Sequence, residues 1–314
     1  MLDRRQLITG VLGAVIAGVT TPRLGAAQVT TTALTDRLSL MASGGTNVLA
    51  LSTPDGLVLV DSGAPDRSEA LIVGLKSLPG LVRLKPDTTY GGGVRTVFNT
   101  HYHPENTGAN EVLRQGGATI VAHENTRLRM ATPVWNPAED RYRQPRPVAA
   151  QPTQTFRTEA SMTAGGERLD YGYLIEAHTS GDIYVRFSSA NVLAVGDVVS
   201  PTRDPELDYF TGAWIGGRVD AMDRLLALCD DGTRIVPGFG PVMTKAELKA
   251  ERDVMKTVYD RTVDQVREGD DATDMLKAGV LNGLARTWED PQRFLYDVQK
   301  GLWAHHNKLS PNVV

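Results

Sequence analysis

Apolar residues along the chain fall into three patterns, and each predicts a different kind of element. The first is one short continuous run. Leu7 to Val19 carries no charge, Arg4 and Arg5 precede it, and Gly25, Ala26 and Ala27 follow it. A charged head, an apolar stretch shorter than the roughly 20 residues of a membrane span, and a small-residue end make a cleavable leader. The paired arginines point to the twin-arginine route, which carries folded proteins. Residues 1–27 are therefore expected to be a signal peptide. The mature protein should be exported, periplasmic or extracellular, with no stable membrane span after cleavage.

The second pattern is alternating or β-branched. LSLMASGGTNVLALSTPDGLVLVDSGAP predicts two or three strands, with turns at Gly44-Gly45 and Pro54-Asp55-Gly56. VRTVFNT predicts a strand ending just before His101, and ATIVAHE another. LDYGYLIEA, DIYVRFSS and NVLAVGD form a second run, and TRIVPGFG is a strand with its turn.

The third pattern is helical. Asp66 is expected to cap a helix with Leu71, Leu75 and Leu78 on one face, and Thr107 to Gln115 predicts a short helix stopped by Gly116-Gly117. Gly217 to Cys229 predicts another. Thr244-Lys245-Ala246-Glu247 is a capping box that opens a long amphipathic helix ending near Gly269. Asp290-Pro291 starts a last helix with Phe294, Leu295, Val298 and Leu302 on its apolar face. Two segments break the rhythm: 79–93 reads as a surface insertion, and 133–160 as a long loop with room for one strand. Strands in runs, with helices between and after them, fit two sheets covered by helices on their outer faces. The main domain is expected over 28–243, with a helical extension over 244–314 packed on it.

Composition narrows the function. The 314 residues are 41% hydrophobic and 22% charged, enough for a sizeable core. A net charge of -4 without a long basic run argues against a nucleic-acid partner. The lone cysteine, Cys229, rules out an internal disulfide and, in DAMDRLLALCDD, reads as a small buried hydrophobe.

The histidines carry the chemistry. His101 and His103 form an H-x-H just past a strand end, and in an extended segment residues two apart point to one side. Two imidazoles can then converge on one ion, as zinc requires. His178, where the apolar strand of IEAHTSGD breaks into a turn, is the best third ligand. Asp197 ends the buried-type strand NVLAVGD in the same way. His123 reads as structural, Asp61 as a turn residue that steadies the ligand loops, and His305 and His306 as surface residues. Tyr209, Phe210 and Trp214 could face a substrate or pack in the core.

Five motifs in order resemble the metallo-β-lactamase-fold hydrolases: VDSG (Val60–Gly63), H-x-H, AHTSGD, the Gly-Asp after a strand, and VPGFGPV. The resemblance runs from about Leu38 to about Thr244. It implies an α/β fold, an αβ/βα four-layer sandwich of two mixed sheets with helices on the outer faces, plus a C-terminal helical tail. His101, His103 and His178 match the ligands of one metal position, and Asp197 matches the carboxylate that bridges two ions. The family's H-x-H-x-D-H reads here as His101-Tyr102-His103-Pro104-Glu105-Asn106, and Phe239 stands where a last histidine ligand is usual. Phenylalanine cannot ligate, an amide is a poor zinc ligand, and Glu105 is one methylene too long. The resemblance so altered implies one zinc, held by His101, His103, His178 and Asp197. That zinc would activate water against an ester, amide, lactone or thioester in a small-molecule substrate, with Asp197 and Glu105 as the candidate catalytic carboxylates. Two other readings fit the same residues. One is a mononuclear iron enzyme of sulfur metabolism using His101, His178 and Asp197. The other is a non-catalytic binding protein on this scaffold.

Overall fold

The computed structural model describes residues 29–78, 93–136 and 140–308. The leader and nearly all of the 79–93 segment lie outside the described residues. Two large mixed sheets form the centre. The first has seven strands. β1 (Thr30–Ala33), β2 (Leu38–Ser43), β3 (Thr46–Thr53) and β4 (Gly56–Val60) run antiparallel; β4 then pairs in parallel with β5 (Val94–Phe98), and β6 (Thr119–His123) and β9 (Gln154–Phe156) continue that direction. The second has five strands in sequence order: β10 (Glu159–Ala164), β11 (Glu167–Leu174), β12 (Asp182–Phe187), β13 (Val192–Gly196) and β14 (Arg234–Pro237), the last pair parallel. A separate hairpin joins β7 (Val134–Asn136) to β8 (Arg141–Arg143).

Strand alternation builds the layers. On β3, Leu49 and Leu51 point between the sheets, where they meet Phe98, Tyr171, Val185 and Val236. Their neighbours Val48 and Ala50 point outward, to Leu71 and Leu75 of α1 (Ser68–Lys76) and Leu113 of α3 (Asn110–Gln115). The outer face of the second sheet, through Leu193, Val195 and Ile235, packs on α5 (Ile215–Ala227), α6 (Lys245–Glu268) and α8 (Pro291–Lys308). The result is helices, sheet, sheet, helices: the four-layer α/β sandwich. At about 25 cal/mol per Å² of apolar surface, these three apolar interfaces are the main stabilising term. No helix among the described residues is long and apolar enough to cross a membrane.

Local signals mostly matched, with several differences. Asp66 does not cap α1: Pro65 opens a 3-10 turn over Pro65–Arg67, and Arg67 takes the cap position. The helix expected over Thr107–Gln115 is replaced by two short ones, α2 (Pro104–Thr107), which Pro104 starts directly behind His103, and α3, which begins only at Asn110. Helix α4 (Glu124–Ala131) is present where no apolar stripe announced it, and the described part of 133–160 holds β7, β8, β9 and the start of β10. His305 is not a free surface residue, since it stacks on Trp214 at 3.6 Å.

The capping box at Thr244 forms in full, and Gly269 ends α6 at φ +96°, a left-handed conformation that favours glycine, before the short α7 (Ala272–Lys277). Helix α6 also carries Glu251, whose carboxylate meets the Arg286 guanidinium at 2.5 Å with both side chains buried. Removing one partner of a buried pair strands the other charge. Glu251→Ala is therefore expected to lower the unfolding free energy by about 3–5 kcal/mol. Urea denaturation reads this directly, and a loss under about 1 kcal/mol would show that the pair is solvated.

Candidate metal centre

Strand ends from both sheets meet at one edge. His101 and His103 follow β5, His178 sits in the turn between β11 and β12, Asp197 follows β13, and Asp61 follows β4. Loops collect sites where several strand ends converge. The two sheets approach closely here: a Cβ on Gly196 (φ +55°) would fall within 2.7 Å of the Thr100 side chain, so only glycine lets β13 and the H-x-H loop touch.

Asp61 organises the H-x-H loop. Its carboxylate accepts the Thr100 backbone N–H at 2.8 Å, the Thr100 hydroxyl at 2.8 Å and the Asn106 amide at 3.0 Å. Burial pushes it up to about 7 in spite of these donors, which pull it down. It holds a left-handed φ of 62°, which its three bonds sustain. Asp182 does the same for His178. It accepts the backbone N–H groups of His178 and Thr179 and the Thr179 hydroxyl, each at 2.7 Å.

The three histidines come together. His101, His103 and His178 are fully buried, and one nitrogen of each lies within 4.8 Å of the others. Their rings stand edge-on at 83–85°, with centroids 4.7–4.9 Å apart. Each ring has an acceptor on its outer nitrogen. His178 Nδ1 donates to the Glu206 carbonyl at 2.9 Å. His103 Nε2 faces Asp208 Oδ2 at 3.4 Å. His101 Nδ1 faces Thr100 Oγ1 at 3.1 Å, and because that hydroxyl gives its proton to Asp61, it accepts from the imidazole. The inner nitrogens then converge: His101 Nε2, His178 Nε2 and His103 Nδ1. Burial pulls His101 and His178 well below the ordinary histidine range, so both are neutral. Burial also opposes charge on His103, but Asp208, Glu206 and Glu105 outweigh it and raise it to about 9. With His178 Nδ1 donating to the Glu206 carbonyl, the 3.0 Å contact of His103 Nδ1 with His178 Nε2 calls for one proton between them, while buried His101 Nε2 has no hydrogen-bond partner among the described residues. A cation replacing that one proton would satisfy all three nitrogens, which is the fit expected of a metal site.

Other expected site residues are placed differently. Asp197 is buried and ion-paired to Arg203, and it joins no metal-type cluster among the described residues. Its Oδ1 packs on Gly238, where a Cβ would come within 2.1 Å of it. Asn106 is turned onto Asp61. The Phe239 ring lies under the Arg203 guanidinium, 4.7 Å from its centroid. Glu105 reaches 3.9 Å from His103 Nδ1. His123 caps α4 and stacks on Tyr173 at 3.8 Å, a structural part. Trp214 packs in the core, while Tyr209 and Phe210 line a cavity.

That cavity, about 430 Å³, opens beside His103. Trp135, Tyr102 and Phe210 give it aromatic walls, and Arg293 and Phe294 of α8 close one side, so the C-terminal helices shape the approach to the histidines. The loop over residues 200–208 joins cavity and centre. Asp208 accepts the Tyr102 hydroxyl at 2.5 Å. Fully buried Arg218 donates to the Glu206 carbonyl and to Ser200 Oγ, and Arg286 donates to the Ser200 and Arg203 carbonyls. Sequence reading passed over this loop, yet it carried a signal. Asp204, Glu206 and Asp208 alternate with Pro205 and Leu207, which in an extended segment puts three carboxylates on one side.

A four-layer α/β sandwich with a histidine-lined centre at one sheet edge defines a class of metal-site hydrolase folds. The metallo-beta-lactamase superfamily model matches residues 42–242, and the chain belongs to that superfamily. It is similar to the curated metallo-beta-lactamase type 2 of Bacillus cereus, 25% identical over 210 residues, covering 67% of this chain and 73% of that protein. Among solved structures it resembles a metallo-beta-lactamase from Pontibacter korlensis (TM-score 0.56, 21% identity, 73% of this chain and 99% of that one). It also resembles a double mutant of the sec-alkyl sulfatase PisA1 (TM-score 0.61, 14% identity, 90% of this chain and 50% of that one). At these identities the structural likenesses speak for the fold.

Partners behind a ligating histidine fix its tautomer, and losing one costs about 10–100-fold in metal affinity. Asp208→Asn, which cannot hold His103 in the same way, should weaken zinc binding by that factor with unchanged circular dichroism. Competition against a chromophoric chelator measures it, and an unchanged affinity would mean that Asp208 does not steer His103.

Proposed function

We propose that the protein is an exported metal-dependent hydrolase that uses one zinc ion, held by His101, His103 and His178, against an ester, amide, lactone or thioester. The observation that carries this reading is the buried, unpartnered His101 Nε2 facing two further imidazole nitrogens. Zinc there supplies Lewis acidity, polarising a carbonyl and lowering the pKa of water to about 7.

The protein's own groups do the rest. Thr100, the Glu206 carbonyl and Asp208 hold the three rings in the ligating tautomer. The aromatic walls beside His103 exclude water and orient a small organic substrate. A single ion is favoured because the neighbouring positions are taken: Asn106 by Asp61, Asp197 by Arg203, and the Phe239 position by an apolar ring. The names of the curated relatives bring lactams into the substrate class. The leader-like N-terminus supports export.

Elemental analysis of natively exported protein, beside a His103→Ala control, tests the reading. The expected result is about one zinc per chain, absent from the control. A chain without metal would sink it, and iron in place of zinc would turn the search toward oxygen-dependent sulfur chemistry.

A further inference from the structure

Besides Asp61 and Asp182, which hold the ligand loops, four carboxylates stand near the histidines, Glu105, Asp197, Glu206 and Asp208, and the structure separates them. Asp197 is paired through Oδ2 with Arg203, while its Oδ1, buried and without a hydrogen-bond partner among the described residues, packs against Gly238 away from the cavity lining. Glu105 lies in the first turn of α2, close to His103 but also outside that lining. Asp208 faces His103 Nε2 and also lines the cavity, but it takes the Tyr102 hydroxyl and serves the outer nitrogen of the ring, which leaves Glu206, of these four, as the cavity carboxylate not engaged in holding a ring. One of its carboxylate oxygens lies within 4.8 Å of a His103 nitrogen and of a Glu105 oxygen, and its side chain lines the cavity. Its backbone is fixed as well. Its carbonyl takes hydrogen bonds from His178 at 2.9 Å and from buried Arg218 at 3.2 Å, and Pro205 limits the chain before it. A carboxylate whose own main chain anchors one metal-type histidine, and whose side chain reaches another, cannot drift far from the centre.

We propose that Glu206 is the catalytic carboxylate of the three-histidine centre, with Glu105 supplying a second negative charge, and that Asp197 is a structural counter-ion of Arg203. This rests on the single-metal reading above. The centre it completes is built, since His101 Nε2 is buried, unpartnered and aimed into the same space. In hydrolysis, as the bond from the water oxygen to the acyl carbon forms, the water's proton passes to Glu206. As the bond from the acyl carbon to the leaving oxygen, nitrogen or sulfur breaks, Glu206 returns that proton to the leaving atom. The carboxylate ends as it began, and no other reactant is needed. The position of Glu206 in the lining places the reacting group of the substrate at the end of the cavity beside His103.

Two forms of the full-length protein are compared with the wild type. Glu206→Gln removes the charge at nearly constant shape. The double variant Asp197→Asn with Arg203→Gln removes the ion pair as a unit, so the local net charge is unchanged. Cobalt(II) alone is the first probe, its affinity read by chelator competition and its coordination by visible absorption. Glu206→Gln is expected to weaken cobalt(II) by about tenfold and to alter the spectrum, while the double variant stays within about twofold. Turnover of p-nitrophenyl acetate is the second probe, and Glu206→Gln should lower kcat at least about 100-fold with KM little changed. If the double variant loses the metal and Glu206→Gln keeps wild-type affinity, spectrum and kcat, the assignment is overturned and Asp197 is the working carboxylate. If the wild type binds no cobalt(II), the single-metal reading falls and this one falls with it. If it binds cobalt(II) and only the Glu206 effects are missing, this inference alone fails.

Discussion

Three imidazole rings held within 4.8 Å of one another, without exposure to water, set the terms for everything around them. Each ring has two nitrogens, and burial leaves none of the six to solvent. The outer nitrogens must therefore find protein acceptors, and those acceptors must themselves be fixed. Thr100 can accept from His101 only because Asp61 takes its hydroxyl proton. Asp208 faces His103 while Tyr102 donates to it. The Glu206 carbonyl holds His178 while Arg218 shares it. Carboxyl, hydroxyl and guanidinium groups with no chemistry of their own are thus drawn into the core, each to fix a proton on one ring nitrogen.

The same constraint ties the C-terminal helices to the centre. Residues 200–208 have no sheet or helix to satisfy their backbone, so side chains from elsewhere do it. Arg218 comes from α5, and Arg286 comes from the stretch before α8, held there by Glu251 of α6. Asp204 in turn accepts the backbone N–H groups of Glu289 and Asp290. A shift in the tail would move the loop that carries Glu206 and Asp208. The helices after the superfamily domain are therefore part of the support for the site and part of the cavity wall.

Much of this was legible in the sequence, for physical reasons that differ by residue. The strands of both sheets announced themselves because two-residue alternation is local, and the Thr244 capping box because its partners are three residues apart. His101, His103 and His178 could be grouped because an H-x-H and a strand-ending turn restrict where imidazoles point. The pairing of Arg203 with Asp197 was not legible, since six residues of irregular chain give no periodicity to read. Helix α4 was missed because only Thr126 and Met130 of its eight residues are buried, too few for an apolar stripe. The roles of Arg218 and Arg286 depend on contacts across the fold, and a charged side chain reads as surface until a buried partner appears.

The departures at Asn106 and Phe239 are each tied to a buried aspartate, Asp61 and Asp197. The Phe239 ring gives the Arg203 guanidinium a face to lie on at 4.7 Å, and Arg203 in turn neutralises Asp197. Asn106 gives its amide to Asp61, which a carboxylate at that position could not do without placing two negative charges side by side. The Arg203 guanidinium is close enough to His101 to disfavour charge on that ring, and its own charge is balanced by Asp197. Restoring a histidine at position 239 alone would leave that charge in place and remove the ring beneath it. On the single-ion reading, the chain has replaced the second cation by one of its own side chains, and the working carboxylate has moved to the loop that faces the substrate.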